Sequence, residues 1–214
     1  MTRNVERMQT IAIIATDGMQ RSALIGPRSA LEAAGMRCVV VSETEGAIAT
    51  FSRRDRAERI PVDAPLSGTR ADAFDGLMLP DGVADSDAMR RNTSVVDFVR
   101  QFVDASKPIA AMGHACWLVI AAGGVNGRSL TSAPTLRADL ENAGGRWVDQ
   151  PVVRDGQLVT SRGPVDLEAF AAAAISLLAS SVSPADDRAL DAQLDESFPA
   201  SDAPSIAGGP GTAA

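Results

Sequence analysis

The chain has 214 residues, of which 45% are hydrophobic and only 4% aromatic, so it can form one domain whose core is mainly aliphatic. Its formal net charge of −7 includes no basic excess of the kind that predicts nucleic-acid binding. No apolar run is long enough to cross a membrane, Met1–Thr10 lacks a signal-peptide core, and two cysteines form no disulfide framework, which together predict a cytoplasmic protein without membrane partners.

The first segments predict a strand–helix–strand unit. Thr10–Ala15 is apolar on both faces, as expected of a buried parallel strand, and Cys38–Ser42 has the same character. Pro27 suits the first turn of the helix between them. The loop after the first strand carries Gly18 alone rather than Gly-x-Gly-x-x-Gly, so no nicotinamide cofactor is predicted.

The next segments predict two short strands, a core strand and a helix. Ala47–Phe51 and Ile60–Asp63 flank a charged turn, which favours a solvated hairpin over a binding patch. Phe74–Leu79 predicts a buried strand that ends at Pro80-Asp81-Gly82. Residues 95–103 carry apolar side chains at helical spacing and predict a helix with one face in the core.

A sharp strand-to-helix elbow is predicted at the centre of the chain. Ile109–Met112 has the length of a buried strand, and Ala115–Ala122 reads as an apolar helix closed by glycines. Gly113 and His114 lie at the apex, at the carboxyl end of the strand and the amino end of the helix. Enzymes place nucleophiles at such an apex because it is exposed and favours an anion.

Beyond the elbow the pattern predicts a helix over 134–142, a hairpin and a closing helix. Trp147–Val153 and Leu158–Ser161 flank Asp155-Gly156, which is a hairpin signal. Pro164 opens the last predicted helix.

The composition changes after residue 180. Residues 181–214 hold six acidic side chains against Arg188 and are rich in Pro, Ala and Gly, which predicts a largely flexible tail. The predicted organisation is therefore an N-terminal extension (1–9), one domain (10–180) and an acidic tail (181–214).

Three separated motifs resemble those of the DJ-1/PfpI family, within the class I glutamine amidotransferase-like superfamily. They are Thr16-Asp-Gly-Met-Gln20, Ala111-Met-Gly-His-Ala-Cys-Trp117 and Gly127-Arg-Ser-Leu-Thr-Ser132, in the family's order. The resemblance implies an α/β, flavodoxin-like three-layer sandwich with a mostly parallel central sheet and a nucleophile elbow. It also implies a homodimer, with hexamers known in the family. No cofactor is predicted.

The same resemblance shows where this chain departs from the family. The family's nucleophilic cysteine falls on Gly113, and the carboxylate that contacts it falls on Gln20. The family's Pro-Gly-Gly falls on residues 80–82, which places Asp81 beside the expected oxyanion donors, with its side chain turned either inward or outward. Asp87 matches an acid that can cross a dimer interface to the active histidine, here His114. The residues implied to line the pocket are Asp17, Gly18, Asp81, Gly82, Gly113, Ala115 and Trp117.

These departures favour a protein that has lost cysteine-nucleophile catalysis and keeps its pocket for small-molecule binding or a stress-related role. Gly113 has no side chain to form a covalent intermediate, and Gln20 cannot exchange protons as a carboxylate does. Cys116 lies three positions after Gly113, and we interpret it as a buried packing residue in preference to a displaced nucleophile.

Two alternatives remain open at this point. The first is an active PfpI-type enzyme (a peptidase, glyoxalase, deglycase or hydratase) that uses His114, Asp87 or Cys116 on a small carbonyl compound or a peptide. The second is an interaction protein that acts through its acidic tail. No metal site is predicted, because Asp81, His114 and Cys116 have no ligand-type spacing.

Overall fold

The computed structural model describes residues 8–51 and 58–179. The strands are β1 (Thr10–Ile14), β2 (Met19–Gln20), β3 (Arg37–Ser42), β4 (Ala47–Phe51), β5 (Arg59–Pro61), β6 (Ala64–Pro65), β7 (Gly76–Leu79), β8 (Ile109–Met112), β9 (Ser129–Leu130), β10 (Arg146–Trp147), β11 (Val152–Asp155) and β12 (Leu158–Ser161). The helices are α1 (Arg21–Ala33), α2 (Val83–Arg90), α3 (Thr93–Asp104), α4 (Cys116–Ala121), α5 (Arg137–Asn142) and α6 (Leu167–Ala179). Short 3₁₀ turns cover Ala71–Ala73, Gly113–Ala115, Pro134–Leu136 and Pro164–Asp166.

A seven-stranded sheet in the order β11-β12-β8-β7-β1-β3-β6 forms the centre of the fold. Every pairing within it is parallel except β11 with β12. β7 and β8 are buried at every position because helices cover both faces of the sheet. Helices α1 and α6 pack against each other, and α2, α3 and α4 form a second packed group. The predicted α/β fold with a mostly parallel central sheet is therefore correct.

Two local predictions need correction. Helix α1 begins at Arg21, directly after β2, so Pro27 lies inside the helix and not in its first turn. Pro27 is buried there, and its packing against the core offsets the amide hydrogen bond that proline cannot make. The predicted strand 147–153 is split, because only Val152–Asp155 pairs with β12 while Arg146–Trp147 pairs with β9. Pro151 lies between the two pieces and interrupts the run.

Most of the predicted charged turn (residues 53–59) and the whole acidic tail (181–214) lie outside the described residues. Within the described ranges, every helix is too short or too polar to cross a lipid bilayer.

Candidate functional site

The elbow forms where two neighbouring parallel strands of the sheet end. β7 and β8 pair in register, with Leu79 opposite Ala111, so the residues that follow them meet at the same sheet edge. Gly113 continues β8 with φ of +56°, a left-handed conformation that glycine adopts without strain. The predicted helix is realised as the turn Gly113–Ala115 followed by α4.

Asp81 turns inward and contacts the elbow directly. Its Oδ1 accepts hydrogen bonds from the backbone N–H of His114 at 2.7 Å and from the ring Nδ1 at 3.1 Å. The Asp81 side chain is only 8% exposed. A Cβ placed on Gly113 would lie 2.5 Å from the carboxyl carbon of Asp81, which is too close for any real contact. The carboxylate therefore fills the space that a side chain at the apex would enter.

His114 bridges Asp81 and a threonine from another element. Its Nε2 lies 3.3 Å from Oγ1 of Thr135, an exposed residue in the turn Pro134–Leu136. When the ring proton is on Nδ1 and is donated to Asp81, Nε2 is free to accept the threonine hydroxyl proton. The Trp117 ring lies 5.6 Å from the imidazole and bounds the site on one side. The sequence analysis did not single out Thr135, and no local pattern marks it.

A second carboxyl group, Asp85 on α2, is buried close to the same turn. It is 0% exposed, and neither of its oxygens makes a hydrogen bond in the described part of the chain. Burial raises the pKa of Asp85 to about 7, and the negative charge of Asp81 adds to this effect. The backbone amides of Asp85 and Ser86 act on the carboxylate from outside hydrogen-bond geometry, and together with the nearby His114 they oppose only part of the increase. The sequence analysis did not single out Asp85 either, because in the sequence it resembles any acid in the first turn of a helix.

Both cysteines are buried and unfavourable as thiolates. Cys116 is 0% exposed, and its sulfur faces the carbonyl oxygen of Thr131 at 3.6 Å. Burial raises the pKa of the Cys116 thiol far above neutral, and burial likewise raises that of Cys38 to about 12. Asp81, His114 and Cys116 form no metal-ligand cluster, since the described residues bring no three His, Cys, Asp or Glu side chains together in that way.

Other predicted site residues have local partners. Gln20 donates to the Ser22 hydroxyl at 3.2 Å. Asp87 pairs with Arg90 on its own helix at 2.6 Å. Within the described ranges, the hydrogen-bond partners of the His114 ring are instead Asp81 and Thr135.

The remaining predicted pocket residues shape the loops around the elbow. Asp17 accepts a hydrogen bond from the backbone N–H of Ala49 at 2.7 Å, which holds the first loop, including Gly18, against β4. Gly82 is buried, and a Cβ there would lie 2.6 Å from the carboxyl carbon of Asp85. Ala115 is also buried, whereas Trp117 is half-buried with the Arg90 guanidinium 4.6 Å above its ring.

Comparison with known proteins decides the family. The family model described as "DJ-1/PfpI family" matches residues 9–177. The chain belongs to the DJ-1/PfpI family. This agrees with the resemblance drawn from the three sequence motifs.

Relatives within the DJ-1/PfpI family have varied names. Protein/nucleic acid deglycase 2 of Escherichia coli is 34% identical over 169 residues, covering 78% of this chain and 96% of the relative. General stress protein 18 of Bacillus subtilis is 33% identical over 169 residues, with 78% and 96% covered. The crystal structure of Drosophila melanogaster DJ-1beta superposes with a TM-score of 0.72 at 28% identity, covering 87% of this chain and 98% of that one.

Proposed function

We propose that this protein is a DJ-1/PfpI-family member that works without a cysteine nucleophile and keeps the elbow as a small-molecule site in a stress-related role. Gly113 holds the position that the family resemblance assigns to the nucleophile. The observation that carries the proposal is the Asp81 carboxylate, which lies where a side chain on Gly113 would project. The stress-related role is supported by similarity to a protein named general stress protein 18.

The charge at the elbow also opposes thiol chemistry. A thiolate on a side chain at position 113 would face the negative Asp81, and like charges this close disfavour the ionised form. The His114 amide, a natural donor for such an anion, already donates to Asp81. Cys116 is no substitute, because it is fully buried and its thiol pKa is raised.

A second candidate function is enzymatic activity that does not depend on cysteine. Similarity to a protein named as a deglycase favours an enzyme, and the hydrogen bonds of His114 favour one that transfers protons. This candidate keeps the sequence-based alternative and adds Asp81 and Thr135, which contact His114 within one subunit. In the same subunit Gln20 contacts Ser22, and Asp87 pairs with Arg90.

Removing both thiols should leave any activity unchanged. We expect the wild-type chain and the Cys38→Ala/Cys116→Ala variant to show the same rates of methylglyoxal loss and of peptide-reporter cleavage, because neither buried thiol forms a reactive thiolate. Thiol labelling of the folded wild type should be slow, and the same protein in denaturant provides the fast reference. Turnover that disappears with Cys116 would contradict the proposal.

Family membership also supports a homodimer, in which Asp87 approaches the partner's elbow. Light scattering of the full chain at several concentrations tests the assembly. A monomer at all concentrations would remove this part of the proposal.

A further inference from the structure

We propose that Asp81, His114 and Thr135 form an acyl-transfer triad in which the Thr135 hydroxyl is the nucleophile. The three groups are connected in series, with Asp81 Oδ1 3.1 Å from Nδ1 of His114 and Nε2 of the same ring 3.3 Å from Oγ1 of Thr135. This is the arrangement in which a carboxylate orients an imidazole and the imidazole takes the proton of a hydroxyl nucleophile. The second distance is slightly longer than that of a typical hydrogen bond from a hydroxyl group.

The first support is the way Asp81 holds the histidine. One carboxylate oxygen accepts from both the backbone and the ring of His114, so it holds the position of the residue and the orientation of its ring together. Asp81 is buried, and a buried charged acceptor strengthens these hydrogen bonds. Asp81 acts through His114 and is therefore a positioning residue.

The second support is the accessibility of the hydroxyl. Thr135 is exposed, whereas the His114 side chain is 20% exposed, so a substrate can reach the oxygen while the base stays partly shielded from water. Pro134 starts the turn and restricts the backbone immediately before Thr135. The nucleophile is thus presented on a restrained segment next to its base.

The nearby charges indicate the substrate class. Asp81 contacts the imidazole of His114, and Asp139 accepts a hydrogen bond at 2.8 Å from the indole of Trp117, whose ring lies 5.6 Å from that imidazole. Arg90 and Arg137 are each paired with an acid, Asp87 and Glu141. Negative charge therefore disfavours an anionic acyl group and favours an uncharged carboxylic ester.

The reaction balances with water as the only other reactant. Thr135 Oγ1 bonds to the acyl carbon as the carbonyl π pair moves onto the carbonyl oxygen, and the hydroxyl proton moves to Nε2 of His114. The C=O bond then re-forms as the bond to the leaving oxygen breaks, and that oxygen departs with the electron pair and receives the proton from Nε2. Water repeats the sequence on the acyl-threonine ester, which releases a carboxylic acid and restores the Thr135 hydroxyl.

The test uses p-nitrophenyl acetate and the full chain in the Cys38→Ala/Cys116→Ala background, which removes acylation of thiols. We expect a burst of nitrophenol followed by slow turnover, with an acetyl group on the peptide that contains Thr135. Thr135→Ala should lower the rate about 100-fold, and Thr135→Ser should restore it to within about tenfold. Asp81→Asn should lower kcat while leaving KM nearly unchanged, because Asp81 touches the base and not the substrate.

Two outcomes would overturn this triad. One is a Thr135→Ala variant that keeps the burst and the turnover, and the other is acetylation at a different residue. Circular dichroism of each variant verifies folding, and Thr135 is exposed, so its loss should leave the fold intact.

The inference takes from the proposed function only that cysteine is not the nucleophile. The two proposals fail on different results. Activity that is lost when the cysteines are removed contradicts the proposed function, whereas activity that is unchanged in Thr135→Ala contradicts the triad alone.

Discussion

Gly113→Ala should lower the free energy of unfolding by about 3–5 kcal/mol. Part of this loss, about 1–2 kcal/mol, comes from placing a Cβ in the left-handed conformation at φ of +56°. The rest arises because the new Cβ displaces the Asp81 carboxylate and breaks its hydrogen bonds from His114. Hydrogen bonds to a charged group contribute about 1.5–3 kcal/mol. Urea unfolding of the full chain measures the change.

A double-mutant cycle with Asp81→Gly separates the two contributions. With the carboxylate gone, Gly113→Ala should cost only about 1–2 kcal/mol, a coupling of about 2 kcal/mol between the two sites. Gly123→Ala is the matched control, because Gly123 has φ of +80° and nothing lies within 4 Å of a Cβ there. Equal costs at Gly113 and Gly123 would show that Asp81 does not occupy the apex.

Thiol reactivity provides a second test of whether Asp81 lies beside a side chain at position 113. Gly113→Cys combined with Asp81→Gly should react with a thiol label at lower pH than Gly113→Cys alone. The reason is that a neighbouring carboxylate raises the pKa of a thiol. Identical pH profiles would contradict the proposed role of Asp81 in excluding cysteine chemistry.

Asp85→Asn should stabilise the protein increasingly as the pH rises from about 4 to about 7. The pKa of Asp85 is raised from 3.8 in the unfolded chain to about 7 in the folded protein. The folded state therefore binds the proton more tightly, and the stability due to this proton is present below about pH 4 and is lost as the pH rises through the folded pKa. Between about pH 4 and pH 7, the difference in the free energy of unfolding between variant and wild type should change by about 4 kcal/mol.

The measurement is urea unfolding of both proteins between pH 4 and pH 8. Asp104→Asn, on the exposed end of α3, is the matched control and should change stability little at any pH. The plots of unfolding free energy against pH for Asp85→Asn and wild type should move apart as the pH rises. If they stay parallel, Asp85 is ionised in the folded protein and has a partner.

The sequence predicted the sheet and the elbow because their signals are local. Ile109–Met112 was predicted as a strand with the bounds it has in the structure, since the length of the apolar run favours a strand over a helix. Asp155-Gly156 correctly predicted the hairpin, but the two-residue turn is Gly156-Gln157, with φ of +58° at Gly156, because Asp155 ends β11 and pairs with Leu158. The local reading failed at Pro27, where the first-turn preference of proline was outweighed by burial within helix α1.

The sequence by itself therefore determined the family, the α/β fold and the presence of a glycine at the apex of the elbow. Only the tertiary structure decided which groups surround that glycine. Asp81 and Thr135 meet at His114 although they are 54 positions apart in the chain. That meeting depends on the parallel pairing of β7 with β8 and on the path of the chain after β9. The partners of a side chain, its burial and its proton affinity arise from such distant contacts, which no local pattern of residues encodes.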